Sequence, residues 1–106
     1  MKVYRGQVIY VDVDDTIISH HDIPKPHVIQ FLRHAVEKGA ILYLWSAGGD
    51  TYAEGVALKL GIHHLFKAFL AKPDATIDDL DIKADFIMEN YHPNHFLGRN
   101  FEDEES

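Results

Sequence analysis

The chain has no cysteine, few basic residues and no long apolar run. Its 106 residues hold 10 Lys and Arg against 17 Asp and Glu, for a net charge of -7. The lack of cysteine excludes a disulfide framework and a thiolate metal site. The scarcity of basic residues argues against partners such as nucleic acid or an anionic membrane, because binding to either relies on Lys and Arg. No segment approaches the length of a membrane-spanning helix.

Length and composition predict one small soluble domain. At 106 residues and 46% hydrophobic content, the chain can form one core but not two. We therefore expect a single α/β domain over residues 1–101, followed by a solvated acidic tail over 102–106. The initial MKVYRGQV lacks the apolar core of a signal peptide, which makes a cytoplasmic location the expectation.

A strand that ends in acids dominates the N-terminal part of the sequence. The run Val8–Val11 carries β-branched and aromatic residues on both faces, which predicts a strand buried in a parallel sheet. Asp12, Asp14 and Asp15 follow at once, and each close pair of these carboxylates repels by about 1 to 4 kcal/mol. A divalent cation or a lysine would relieve that repulsion. The alternative is a solvated acidic turn, in which Asp is common.

The following residues predict alternating helices and strands. Asp22, Pro24 and Pro26 indicate the entrance of a helix, and Gly39 is placed to end it. The spacing of Thr51 and Glu54 indicates a capping box for a second helix, with Asp50 or Thr51 as its cap. The predicted elements are a helix to Gly39, a strand at Ala40–Trp45, a helix to Gly61 and a strand at Leu65–Ala71.

The last quarter of the sequence predicts shorter elements. Ala75–Ile77 reads as a brief strand, a helix could begin near Leu80, and Asp85–Met88 could form an edge strand. The irregular segment after Met88 is expected to pack its apolar side chains on the sheet: Phe96, Leu97 and Phe101.

Polar groups that could do chemistry also follow the later strands. Ser46 and Ala47 lie between a strand and a helix, which suits either a phosphate site at the helix N-terminus or a tight connector. Lys72 follows the next strand and could be catalytic or an ordinary surface lysine. The pair Asp78–Asp79 suits a hard metal such as Mg²⁺, or else an acidic turn or helix cap.

This ordered series resembles the haloacid dehalogenase (HAD) superfamily. That family has an Asp-x-Asp on its first strand, a Ser or Thr after the second, then a Lys and an acidic pair. The matching residues here are Asp12-x-Asp14-x-Thr16, Ser46, Lys72 and Asp78-Asp79. The resemblance spans residues 8–79. It implies a three-layer Rossmann-like sandwich with a mostly parallel sheet of four to five strands and no cap domain.

The resemblance also implies a phosphatase of phosphomonoesters. Asp12 would attack phosphorus to form an aspartyl-phosphate, while Asp14 would protonate the leaving oxygen and later activate water. Ser46 and the backbone amide of Ala47 would hold phosphoryl oxygens. Lys72 would stabilise the Asp12 carboxylate and the charge that develops on the phosphoryl group. The second Asp of the motif favours phosphatase over dehalogenase chemistry.

The implied cofactor is Mg²⁺, and the implied substrate is a phosphorylated compound of unknown class. Asp12, the backbone carbonyl of Asp14 and Asp78 would bind the metal, with Asp79 as an alternative or outer ligand, and Thr16 would brace the loop. Because no cap is expected, specificity would come from the connector 17–22, from a neighbouring subunit of a homo-oligomer, or from a large substrate that covers the site.

Two non-enzymatic alternatives remain open. Response-regulator receivers also place acids, a hydroxyl residue and a lysine at the strand ends of a small α/β sheet, although their phosphorylated Asp lies on a later strand. A receiver-like phosphoacceptor or regulatory domain is therefore one alternative. A HAD-like domain that serves binding is the other, and the presence of Asp14 argues against it.

Overall fold

Three parallel strands form the sheet of this protein in a computed structural model that describes residues 1–79 and 88–101. Strand β1 is Val8–Asp12, β2 is Ile41–Ser46 and β3 is Phe66–Ala71. Their order in the sheet is β1-β2-β3, so β2 is central and pairs with both neighbours. The three main strand predictions are confirmed to within a residue at each end.

Two helices connect these strands and confirm the α/β prediction. Helix α1 (Pro26–Glu37) joins β1 to β2, and α2 (Asp50–Lys59) joins β2 to β3. Pro26 occupies the first turn of α1, where its missing N–H is not needed. Gly39 and Gly61 follow the last turns of the two helices, as predicted.

The hydrophobic core lies between the helices and one face of the sheet. Alternate residues of the strands point into it, as the period of a strand requires. On the opposite face, Val8 and Tyr10 remain 57% and 47% exposed. The largest of the fully buried apolar side chains in the core are Val13, Ile17, Leu32, Leu42, Leu44 and Ile62.

The predicted capping box of α2 is wrong. The helix begins at Asp50, and its N-cap is Gly49, which makes no side-chain bond to the helix; the Asp50 carboxylate accepts the N–H of Thr51 at 2.8 Å from within the first turn. Gly49 has a φ of 104°, a backbone angle that favours glycine. The chain enters the helix at this residue, one position before the first of the two predicted caps, Asp50. Glu54 does not bond back to the helix start, since its carboxylate lies 2.9 Å from Nε2 of His63.

The short strand predicted at Ala75–Ile77 is also wrong. Residues 72–79 contain neither helix nor strand, and Ile77 is fully exposed. A segment of three mostly apolar residues does not form a stable strand unless a neighbouring element buries its side chains. The helix predicted from near Leu80 and the acidic tail 102–106 lie outside the described residues. The edge strand predicted at Asp85–Met88 does too, except for Met88, which has no regular structure.

The C-terminal aromatic residues pack on α1 rather than on the sheet. A short 3-10 helix, Pro93–Phe96, places the Phe96 ring 4.1 Å from that of Phe31 in a stacked arrangement. Phe101 meets Phe31 edge-on at 5.4 Å, whereas Leu97 is 56% exposed. No helix in the described ranges is long and apolar enough to cross a membrane.

Candidate active site

The carboxyl ends of the three strands bring the first three predicted motifs to one edge of the sheet. Asp12 ends β1, Ser46 ends β2, and Lys72 directly follows β3. The register pairs Asp12 with Trp45 and Ser46 with Ala71, so these ends are level. The backbone N–H of Lys72 donates to the carbonyl of Ser46 at 3.0 Å, which ties the third motif to the second.

Both carboxylate oxygens of Asp12 have partners. Nζ of Lys72 lies 3.1 Å from Oδ1, and Oγ1 of Thr16 donates to Oδ2 at 3.3 Å. The Asp12 and Lys72 side chains are 33% and 39% exposed, so solvent screens the ion pair and it adds little stability. The contacts with Lys72 and Thr16 together fix the plane of the Asp12 carboxylate. The carboxylate stays exposed enough for a ligand to reach it from solvent.

Trp45 gives Lys72 a second contact. Nζ of Lys72 lies 5.8 Å from the centre of the Trp45 ring, within the range of a cation–π interaction. The tryptophan is the β2 neighbour of Asp12 in the register. The ammonium group is therefore held between a carboxylate and an aromatic ring at the edge of the sheet.

A tight loop with buried anchors presents the acids after β1. Val13, Ile17 and Ile18 are 0%, 0% and 3% exposed. The carbonyl of Val13 accepts the N–H groups of residues 16, 17 and 18 at 3.2, 3.0 and 3.4 Å, which closes the loop on itself. Since the apolar residues are anchored inside, Asp14 and Asp15 face outward.

Asp15 shapes the backbone of this loop and has no contact with Asp12 or Lys72 among those the structure shows. It has a φ of 59°, in the left-handed region that Asp tolerates better than most residues. Nζ of Lys25 donates to its backbone carbonyl at 3.1 Å, and its exposed carboxylate lies 3.7 Å from Nδ1 of His20. The sequence did not single out Lys25.

Ser46 organises the loop between β2 and α2 from a buried position. Its side chain is 1% exposed, and Oγ accepts the N–H of Gly48 at 2.9 Å. Its carbonyl accepts from Gly49 at 3.1 Å as well as from Lys72. Ala47, at the start of the loop, is exposed. The serine thus connects the loop to the segment after β3.

Tyr52 is a site residue that the sequence reasoning missed. It lies in the first turn of α2, and its hydroxyl donates to Oδ1 of Asp14 at 2.7 Å. This hydrogen bond is the main reason that the pKa of Tyr52 is raised to about 12, with burial and nearby acids adding to it. A hint was available, since the first turn of a helix that follows a strand faces the same sheet edge as the strand ends.

The fourth predicted motif lies in a different environment. Asp78 and Asp79 are exposed and belong to the irregular segment 72–79. Within residues 1–79 and 88–101, no three or more His, Cys, Asp or Glu side chains are grouped closely enough to hold a metal. The assignment of Asp12, Asp14, Asp78 and Asp79 to a metal site remains a prediction.

Comparison of the chain with models of protein families, with curated protein sequences and with solved structures gave no match.

Proposed function

We propose that this protein is a Mg²⁺-dependent phosphatase of the HAD type, which cleaves a phosphomonoester through an aspartyl-phosphate on Asp12. The observation that carries the proposal is the contact of Asp12 with Lys72 at 3.1 Å at the carboxyl edge of a parallel sheet. In open α/β sheets, ligands bind at this edge. The pairing of a carboxylate nucleophile with a fixed cation is what attack on a phosphoryl group requires.

Each step of the proposed reaction has a residue near that edge. An oxygen of Asp12 forms a bond to phosphorus as the bond to the leaving oxygen breaks, and Asp14 gives that oxygen its proton. Lys72 offsets the negative charge on the phosphoryl oxygens. The Asp14 carboxylate then takes a proton from the water that attacks phosphorus, which releases phosphate and restores Asp12.

The loop after β2 would hold the phosphoryl oxygens. Oγ of Ser46 accepts from Gly48, which leaves its own proton to donate. The exposed Ala47 would offer its backbone N–H from the same loop. Because this loop leads into the N-terminus of α2, the helix dipole also favours a bound anion.

The donors around Asp12 suit Mg²⁺. This ion takes oxygen ligands and is commonly held by one or two carboxylates together with water and substrate phosphate, so it does not need a cluster of three acidic side chains. Asp12, the backbone carbonyl of Asp14 and Asp78 or Asp79 would bind it. When bound, the ion neutralises charge on the phosphoryl oxygens.

The proposal extends to the fold. A HAD-type domain would be a three-layer sandwich with one or two strands beyond the three described. The exposure of Val8 and Tyr10 supports this extension, because parallel sheets are normally covered on both faces. An additional layer over that face would bury both side chains.

A matched pair of variants tests the proposed reaction. Asp12→Asn and Asp15→Asn make the same chemical change three residues apart in one loop, but only Asp12 contacts Lys72. With Mg²⁺ and a broad panel of phosphate esters, we expect Asp15→Asn to match the unmodified protein within about twofold. Asp12→Asn should lose on the order of 10³-fold or more in kcat, the scale seen when a nucleophile is removed.

A second measurement separates the enzyme from a phosphoacceptor domain. The unmodified protein with Mg²⁺ should bind beryllofluoride at Asp12, detected by fluorine NMR, and Asp12→Asn should not. If no ester is hydrolysed and no beryllofluoride binds, the proposal fails. A phospho-aspartate that persists after treatment with acetyl phosphate would instead indicate a phosphoacceptor, because an active phosphatase hydrolyses its intermediate.

A further inference from the structure

Tyr52 connects the loop after β2 with the acid loop after β1. Its hydroxyl reaches Oδ1 of Asp14 at 2.7 Å across 38 residues of sequence. Its ring lies against Gly48, where an added Cβ would come within 3.0 Å of the ring atom Cδ2. The absence of a side chain at Gly48 therefore allows the ring to take the position from which the hydroxyl reaches Asp14.

The direction of the hydrogen bond determines what it can do to the carboxyl group. The Tyr52 phenol has a proton to give and the carboxylate has lone pairs to accept it, so Tyr52 is the donor in the 2.7 Å contact. It can donate to Oδ1 whether Asp14 is ionised or protonated, because both forms have an acceptor at that oxygen. A proton that Asp14 carries is then confined to Oδ2, the oxygen that the tyrosine leaves free.

We infer that Tyr52 is a positioning residue, which orients Asp14 so that one oxygen, Oδ2, gives its proton to the leaving group and later takes one from water. The inference rests on the proposed phosphatase function and names a residue of that site that the sequence motifs do not include. Tyr52 acts through Asp14, and no bond to phosphorus or to the leaving oxygen involves it.

Two esters separate positioning of the acid from a general structural role. Phenyl phosphate releases a basic phenolate that needs a proton, whereas p-nitrophenyl phosphate releases an anion that leaves without one. We expect Tyr52→Phe to lower the single-turnover rate with phenyl phosphate about 10-fold, a part of the 10²- to 10⁴-fold that a general acid contributes. The rate with p-nitrophenyl phosphate should stay within about twofold. Tyr4→Phe makes the same change at an exposed tyrosine near the N-terminus, and it should affect neither rate.

Gly48→Ala tests whether the position of the Tyr52 ring determines the contact with Asp14. Gly48 has a φ outside the left-handed region, so alanine can adopt its backbone, but the new Cβ would press on the Tyr52 ring. We expect a loss of about 3- to 10-fold with phenyl phosphate. In the Tyr52→Phe background the same change should cause no further loss. Gly55→Ala, where nothing lies within 4 Å of the added Cβ, is the matched control.

A readout that does not depend on activity checks the contact itself. The carboxyl carbon of Asp14 should shift in the NMR spectrum of Tyr52→Phe and stay in place in Tyr4→Phe. No shift would overturn the inference, since the hydrogen bond would then be absent. Equal losses with both esters, no loss with either, or a full additional loss from Gly48→Ala in the double variant would overturn it as well. That last result would show that Gly48 acts through Ser46, whose Oγ lies 3.3 Å from the added Cβ.

Failure of the proposed function gives a different pattern. If the unmodified protein hydrolyses no ester of the broad panel and binds no beryllofluoride, the phosphatase proposal is wrong, and the positioning role falls with it even where the Asp14 signal shifts. If the unmodified protein hydrolyses both esters and Tyr52→Phe behaves identically, only the role of Tyr52 is wrong.

Discussion

The two acid-bearing segments of the candidate site differ in how they are held. In the loop after β1, Asp14 and Asp15 lie between Val13 on one side and Ile17 and Ile18 on the other, and these three apolar residues are 3% exposed or less. In the segment after β3, every residue from 72 to 79 is exposed. The comparison shows that buried apolar neighbours, rather than the acids themselves, determine where a carboxylate lies.

Lys72 links the two segments. Its backbone N–H is bound to the carbonyl of Ser46 and its ammonium group to Asp12, although it belongs to the exposed segment. The site thus combines the loop after β1, which is held by buried side chains and carries the proposed nucleophile and acid, with the segment after β3, which is anchored at its first residue.

The largest effect is expected from breaking that link. Lys72→Met removes the cation beside Asp12 and should lower kcat/KM for a phosphate ester by about 10²- to 10³-fold, the usual loss for one charge-stabilising donor. The free energy of unfolding should change by less than about 1 kcal/mol, since the ion pair is solvent-exposed. Lys67→Met, an exposed lysine on β3, is the control. Equal activities of the two variants would contradict the role of Lys72.

Stability should respond very differently in the two segments. Ile17→Ala empties a fully buried position and should lower the free energy of unfolding by about 2 to 5 kcal/mol. Ile77→Ala makes the same change at a fully exposed position and should stay within about 0.5 kcal/mol. Urea denaturation measures both. A large loss at Ile77 would show that the segment after β3 is packed after all.

Metal affinity should distinguish the two acids of the exposed segment. We expect Asp78→Asn to raise the Mg²⁺ concentration needed for half-maximal activity by at least about 10-fold. Asp79→Asn should have a smaller effect, and Asp74→Asn, in the same segment, none. If Asp79→Asn has the larger effect, Asp79 is the direct ligand. No effect from either variant would place the metal site elsewhere.

The smallest effect concerns the pH dependence of the Tyr52–Asp14 contact. The folded state raises the pKa of Tyr52 from 10.0 to about 12, so it holds the phenol proton more tightly than the unfolded chain does. The resulting stabilisation is fully present below pH 10 and is lost as the pH rises through about 12. Because Tyr52 is 38% exposed, solvent screening keeps the effect small.

A difference measurement isolates this contribution. The stability difference between the unmodified protein and Tyr52→Phe should shrink from pH 9 towards about pH 12, and the trend should be weaker in an Asp14→Asn background. A difference that grows with pH would contradict the sign of the shift.

The sequence predicted the parts of the fold that have a strong local pattern. The continuous apolar run Val8–Val11 and the two later runs formed strands, and Pro26 began a helix. The spacing of polar groups at the strand ends also placed Asp12, Ser46 and Lys72 at one edge, because consecutive parallel strands end on the same side of a sheet.

The remaining features depend on contacts that no local pattern specifies. The φ of 104° at Gly49 overrode the capping box, which only side-chain spacing had supported. Phe96 stacks on Phe31, some 65 residues away, through a tertiary contact with no periodic signal. Tyr52 was missed for a similar reason, because its hydrogen bond to Asp14 joins two segments that are 38 residues apart in sequence.

The most direct test of the central claim is to identify the residue that receives the phosphoryl group. Asp14→Asn, which lacks the group proposed to activate water, should accumulate the intermediate when mixed with Mg²⁺ and p-nitrophenyl phosphate, whose leaving group needs no proton. Borohydride reduction after acid quenching converts an aspartyl-phosphate into homoserine, which peptide mass spectrometry can locate. We predict homoserine at position 12. Homoserine at position 15, or at no position in a variant that still releases nitrophenolate, would contradict the assignment of Asp12 as the nucleophile.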